Sequence, residues 1–263
     1  MRKPVTAAAI QFNITLGELD RNLAKAEAAL RRAADRGAEL AVLPEMWSSG
    51  YAYRRLPELA AATPQVLEAL AKLGDELGLV IVGSLPELAD GKVCNTAYVM
   101  DRGTLAGSYR KLHLFSLMNE HEHIIAGDRT AVVPTSVGRL GLAICYDLRF
   151  PELFRKLALE GAEIICLPAE WPVPRQLHWR TLLRARAIEN QCFVVAANCC
   201  GRQGKLDFFG MSLIVAPRGE LLAEADDFAT ELVASCDFQE LADYRAQITC
   251  FADRRGEIYG SLP

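Results

Sequence analysis

A carboxylate, an amine and a thiol stand where three apolar stretches run out: Glu45 after residues 38–43, Lys111 after residues 105–110, and Cys145 after the run containing Leu140, Leu142, Ala143 and Ile144. Together these groups supply what hydrolysis of an amide or nitrile requires. A thiol attacks the carbon, a carboxylate takes its proton and returns it to the leaving amine, and an ammonium holds the charge that develops on oxygen. Residues 150–159, with Pro151 near their start, read as a helix opening just beyond Cys145, so the spacing predicts a strand-to-helix elbow. At such a turn, unpaired backbone N–H groups would stabilise a thiolate. Each residue alone has a plainer reading: a cysteine in an apolar run is usually a small core residue, and a Glu or Lys after a strand usually faces water.

The elements that must position these groups follow from periodicity. Residues 5–12 read as a strand, and Leu19, Leu23, Ala26, Leu30 and Ala33 give an amphipathic helix closed by Gly37. After strand 38–43 come a helix at 65–77 and a strand at 79–84, then turns at Asp90-Gly91 and Arg102-Gly103 that predict hairpins and antiparallel strands. The stretch 112–128, LHLFSLMNEHEHIIAGD, lacks periodicity, and loops of that length are usually functional. Beyond the 150–159 helix lie a strand at 164–167, a helix at 176–190, a strand at 191–198 and turn-linked strands at 212–215, 221–224 and 232–236. The tail from Gln247 shows no regular pattern and is a candidate for packing on a partner subunit.

One internal echo organises this order. RGAELAVLP (36–44) is repeated as EGAEIICLP (160–168), with Trp47 matched by Trp171, and each copy follows a strand and a helix. Two sheets back to back with helices outside, an α-β-β-α sandwich, accommodate such duplicated halves. Only the first copy carries Glu directly after Pro, so Glu170 is displaced by one position and is not the counterpart of Glu45.

With 263 residues, 51% of them hydrophobic, the chain can form one domain with a large core, and no linker-like tract divides it. A net charge of −4 offers no electrostatic footprint for nucleic acid or an anionic membrane, so the expected partner is a small molecule. The basic start resembles a signal peptide, but Gln11 and Asn13 break its apolar run, and no stretch approaches membrane-spanning length. Most of the eight cysteines lie in apolar runs, which points to a reducing, cytoplasmic setting. Four histidines, two of them (His121 and His123) in one loop, give only a weak zinc signal.

LAVLPEMWSSGY (40–51), YRKLHLF (109–115) and GLAICYDLRFPEL (141–153) resemble the three signature segments of the nitrilase superfamily of carbon–nitrogen hydrolases, in order and across nearly the whole chain. The resemblance implies the four-layer α-β-β-α sandwich, with Glu45 as general base, Lys111 as oxyanion stabiliser and Cys145 as nucleophile. Glu120 stands in a segment similar to the family's E-x6-G-[DN] pattern and so corresponds to a second glutamate that positions lysine and substrate; Glu122 is the competing assignment. Tyr146 follows the nucleophile where true nitrilases tend to have tryptophan, which favours an amidase, and its backbone N–H is a candidate oxyanion donor. NEHEHIIAGD, CYDLRFPEL and EWPVPRQLHWRTLLRARAIENQ resemble the bacterial omega-amidase-like branch. That resemblance implies monoamides of dicarboxylates such as 2-oxoglutaramate as substrates, no metal or organic cofactor, and at least a homodimer. Deaminated glutathione and N-carbamoyl compounds are the alternative substrates. A non-catalytic binding member of the fold should have lost a reactive group, and all three are present. A cation should read the substrate's charge: Arg149 is nearest in sequence, Arg175 the next candidate. Trp171 and His178 either line the pocket or pack on the 176–190 helix.

Overall fold

The computed structural model describes residues 3–259. Its first half runs β1 (Val5–Gln11), α1 (Leu19–Asp35), β2 (Leu40–Val42), α2 (Leu56–Ala61), α3 (Thr63–Leu77), β3 (Val80–Ala89), β4 (Lys92–Asp101) and β5 (Thr104–Arg110), followed by the short α4 (Glu120–His123). The second runs β6 (Val132–Thr135), β7 (Gly138–Leu142), α5 (Pro151–Leu159), β8 (Ile164–Ala169), α6 (Gln176–Asn190) and β9 (Phe193–Asn198). It continues with β10 (Cys200–Gln203), β11 (Leu206–Phe209), β12 (Leu213–Val215), β13 (Leu221–Glu224), β14 (Thr230–Cys236), α7 (Phe238–Gln247) and α8 (Gly256–Tyr259).

Two six-stranded sheets result, ordered β14-β1-β2-β3-β4-β5 and β13-β12-β9-β8-β7-β6, with β10 and β11 forming a separate hairpin. The internal echo is visible in the registers. Parallel β1, β2 and β3 place Leu40 between Ala7 and Val80, and parallel β7, β8 and β9 place Ile164 between Leu140 and Phe193. An antiparallel strand flanks each parallel triplet on either side. The central strands are buried on both faces, which is why they read as continuous apolar runs and not as alternations. Side-chain alternation still divides them: Leu40 and Val42 join the core between the sheets, whereas Ala41 packs beneath the helices with Ala26, Leu30 and Val66.

Several elements were absent from the periodicity reading. β6 contains Pro134, which reads as a breaker, but β6 is the edge strand of its sheet, where a missing N–H is tolerated. α7 buries only Phe238 and Leu241 and therefore carries little amphipathic signal; Asp237 caps it, accepting from Gln239 N–H at 2.9 Å. The segment beyond Gln247 folds back on its own chain, with Phe251 against the core and Ile248 O accepting from Gln191 Nε2 at 2.8 Å. α8 lies further on, so the expectation of an irregular tail is corrected.

The aperiodic stretch 112–128 is also ordered, as a 3-10 turn (Ser116–Met118) followed by α4. Its base is clamped: Gly127 N–H donates to Lys111 O at 2.8 Å and Ile125 N–H to Val93 O at 2.9 Å. A Cβ at Gly127 would lie 2.3 Å from Arg110 O, so only glycine lets this base close. Gly127→Ala is expected to lose about 1–3 kcal/mol, the usual penalty for overpacking, seen as a lower denaturant midpoint at unchanged slope. An unchanged midpoint would show that the clamp carries no stability.

Candidate active site

Glu45 is delivered by the end of β2. Leu43 N–H continues the pairing to Val82 O at 2.7 Å, Pro44 stops it, and Met46 turns the chain with φ of 43° and its N–H on Ser84 Oγ. The buried Glu45 carboxylate uses its two oxygens differently. Oε1 accepts from Asn95 Nδ2 and Lys111 Nζ, both at 2.8 Å, and lies 2.6 Å from the Tyr51 hydroxyl. Oε2 accepts Glu170 N–H, at 2.9 Å.

Lys111 extends β5 by one residue, its N–H donating to Asn95 O, and its side chain is fully buried. Nζ bridges Glu45 to Glu120, whose oxygens lie 2.8 and 2.9 Å away. Glu120 opens α4, is buried, and accepts Phe115 N–H at 2.9 Å; Glu122 is exposed, so Glu120 is the carboxylate the fold brings in.

Cys145 begins a 3-10 turn, Cys145–Arg149, with φ of 46°, a left-handed conformation that is uncommon outside glycine and costs about 1–3 kcal/mol at such sites. Asp147 holds this elbow. Its Oδ2 accepts Ile144 N–H and Tyr109 O–H at 2.8 Å, and its Oδ1 accepts His113 N–H at 3.1 Å and lies 2.7 Å from His113 Nδ1. One buried carboxylate thus ties the cysteine turn to the residues on either side of Lys111.

Charge in the site follows from burial and pairing. Burial pushes the Glu45 carboxyl up, but the Lys111 charge and hydrogen bonds from Lys111, Tyr51 and Cys145 outweigh it and hold Glu45 below the usual carboxylate value. Burial depresses Lys111, and the two carboxylates more than reverse that, so it stays an ammonium. Burial, reinforced by the charge of Glu45 and opposed by Lys111, raises the Cys145 thiol well above its usual value. This corrects the expectation of a stabilised thiolate: the resting site holds a thiol beside a carboxylate that can take its proton.

A narrow pocket opens on Cys145, walled by Phe115, Tyr146, Arg149, Glu170, Trp171 and Arg175 among others. The Arg149 guanidinium lies over the Trp171 ring at 4.9 Å and that of Arg175 over the Phe115 ring at 5.5 Å. Neither forms an ion pair among the described residues. Trp171 both walls the pocket and packs on α6, its ring 5.4 Å from that of Trp179. His178 does not line this pocket; its Nδ1 lies 3.5 Å from Arg149 Nη2. Tyr146 packs its ring 4.7 Å from that of Phe115. Tyr51, Asn95, Asp147 and Glu170 escaped the sequence reading. Tyr51 and Asp147 lie inside quoted segments, Glu170 was set aside for its one-residue displacement, and Asn95 shows only once strand pairing is known. Among the described residues no group of metal-ligating side chains is found.

The carbon-nitrogen hydrolase family model matches residues 6–246. The chain belongs to that family. It is similar to the 2-oxoglutaramate amidase of Bacillus subtilis (strain 168), 39% identical over 257 residues that cover 97% of this chain and 99% of that protein. The fold superimposes on a carbon-nitrogen hydrolase of Helicobacter pylori G27 with a TM-score of 0.92 and 28% identity, covering 98% of each chain. It also matches a variant of the amidase from Nesterenkonia sp. AN1, with a TM-score of 0.87 and 28% identity over 97% of this chain and 95% of that one. In that protein the acetamide moiety of fluoroacetamide is covalently added at the active site cysteine. The α-β-β-α sandwich expected from the sequence is the architecture of these carbon–nitrogen hydrolases, and this family member is an amidase-type hydrolase.

With Glu45 held below and Cys145 above their ordinary values, neither changes protonation between about pH 6 and 8.5. For an amide that does not itself titrate there, kcat/KM is expected to stay flat across that window and to fall only as acid protonates Glu45. A bell centred near pH 7 would contradict this charge assignment.

Proposed function

We propose that this hydrolase is an omega-amidase, converting a monoamide of a dicarboxylate, such as 2-oxoglutaramate, to the dicarboxylate and ammonia through a thioester on Cys145. The observation that carries the reading is the pairing of two features at Cys145: the Glu45–Lys111–Glu120 cluster, whose Glu120 walls the same pocket, and two arginines in that wall without ion-pair partners among the described residues. The first suits acyl transfer and the second suits a substrate with an anionic end. Similarity to a 2-oxoglutaramate amidase supports the same choice.

In this scheme Cys145 Sγ attacks the amide carbon while its proton passes to Glu45. The Lys111 ammonium and the Tyr146 backbone N–H stabilise the oxyanion, one such donor being worth ~3 kcal/mol. The C–N bond breaks as Glu45 returns the proton to nitrogen, ammonia departs, and a thioester remains. Water then attacks the thioester with Glu45 again as base, releasing the acid and restoring the thiol. Glu120 holds Lys111 in place, and Arg149, with Arg175 in the same pocket wall, takes the distal carboxylate; neither step calls on a metal or organic cofactor. The setting we infer is cytoplasmic and homodimeric. Eight cysteines without disulfides among the described residues support the first, and family resemblance alone the second. No helix among the described residues is long and apolar enough to cross a membrane.

The test is ammonia release from 2-oxo-dicarboxylate monoamides, N-carbamoyl amino acids, deaminated glutathione and nitriles. Dicarboxylate monoamides are expected to lead the panel, and Cys145→Ala to reduce release to background. Arg149→Lys should cut kcat/KM about tenfold or more for the charged monoamide while sparing neutral amides, because a point charge cannot replace a guanidinium fork. Preference for another class, or full activity in Cys145→Ala, would overturn the reading.

A further inference from the structure

Glu170 is a third carboxyl group at the site, and the scheme above leaves it without a task. It is 2% exposed, walls the same pocket as Cys145, and its Oε1 has no hydrogen-bond partner among the described residues. Buried polar atoms without partners are rare, and each one calls for an explanation. Glu45 and Glu120 each meet the ammonium of Lys111 directly, whereas Glu170 forms no ion pair among the described residues.

The bonding of Glu45 says what approaches Glu170. Oε1 of Glu45 is occupied by Asn95, Lys111 and the Tyr51 hydroxyl, so proton transfer falls to Oε2, which accepts the backbone N–H of Glu170. A leaving nitrogen that takes its proton from Oε2 must therefore come up beside residue 170. We propose that the side chain of Glu170 recognises the carboxamide nitrogen, its free oxygen accepting a substrate N–H, so that this residue selects primary amides over acyl groups with other leaving atoms. The inference rests on Glu45 being the base of the proposed mechanism, not on which acyl chain is bound.

The protonation state suits that task. Burial, then the charge of Glu45, push the Glu170 carboxyl well above the usual range; Lys111 and the nearby Gln203 amide oppose this and Glu120 reinforces it. A neutral acid keeps one carbonyl oxygen as an acceptor without adding a second uncompensated negative charge beside Glu45. Glutamine at this position would offer the same acceptor, and leucine none. The internal echo adds a further reason to regard the position as built in: each half of the chain places a glutamate just past its Leu-Pro, at the first position in one half and the second in the other, and the two meet where Glu170 N–H donates to Glu45 Oε2.

The test compares the best amide of the panel with the methyl ester of the same acid, in the unmutated enzyme, Glu170→Gln and Glu170→Leu. The ester is followed by kcat/KM, or by Ki against the amide where it binds without turnover. Glu170→Leu is expected to lower kcat/KM for the amide roughly tenfold or more while the ester changes less than about threefold, and Glu170→Gln to keep both near the unmutated values. Equal losses for amide and ester would mean that Glu170 only supports the pocket, and a Glu170→Gln defect as large as that of leucine would rule out the neutral acceptor. Because the acyl group is held constant, failure of the dicarboxylate reading would appear in the panel and not in this ratio.

Discussion

The buried ammonium of Lys111 is the charge on which the rest of the site depends. Two carboxylates, Glu45 and Glu120, lie within 2.9 Å of it with almost no exposure to solvent. Taking ions out of water costs several kcal/mol each, and removing one member of such a group typically costs about 3–5 kcal/mol because the partner is left charged and buried. The cluster holds Glu45 ionised, and burial, reinforced by the ionised Glu45, keeps Cys145 a thiol. Proton affinity is thereby arranged around the cysteine before any substrate enters, so little of the surroundings need reorganise as charge moves.

The members of that cluster come from distant parts of the chain, and the duplicated frame is what brings them together. Aligning Leu40 with Ile164 by register makes Ala7 the counterpart of Leu140 and, five residues on, Phe12 the counterpart of Cys145. The two halves therefore end homologous strands with different chemistry, an inert ring in one and a thiol in the other. They meet directly where Glu45 N–H reaches Ala169 O and Glu170 N–H reaches Glu45 Oε2. Positions just past the two Leu-Pro pairs thus become neighbours, and a carboxylate from one half stands beside a cysteine from the other.

How much of this was legible in the sequence depended on whether a residue's role was local. Glu45, Lys111 and Cys145 could be read because each marks the end of an apolar run, and Glu120 because its spacing to Gly127-Asp128 reflects the glycine that closes the loop beneath it. Asn95 could not be read, because it reaches Glu45 only through the antiparallel pairing of β4 with its neighbours. Asp147 looked like an ordinary polar residue in a helix-start segment, and the three partners of its side chain, Tyr109, His113 and Ile144, are spread over residues 109–144. The protonation of Cys145 was misread for a related reason. An elbow suggests exposed N–H groups and a thiolate, whereas complete burial beside a carboxylate gives a thiol.

The central claim is that acyl transfer passes through Cys145, and intact-protein mass spectrometry after acid quench, within the first turnovers on an active monoamide, tests it most directly. The account predicts a mass increment equal to the substrate less ammonia, mapped to the peptide containing Cys145 and absent from Cys145→Ala. Turnover at full rate with no such adduct under any quench time, or an adduct on another of the cysteines, would contradict it.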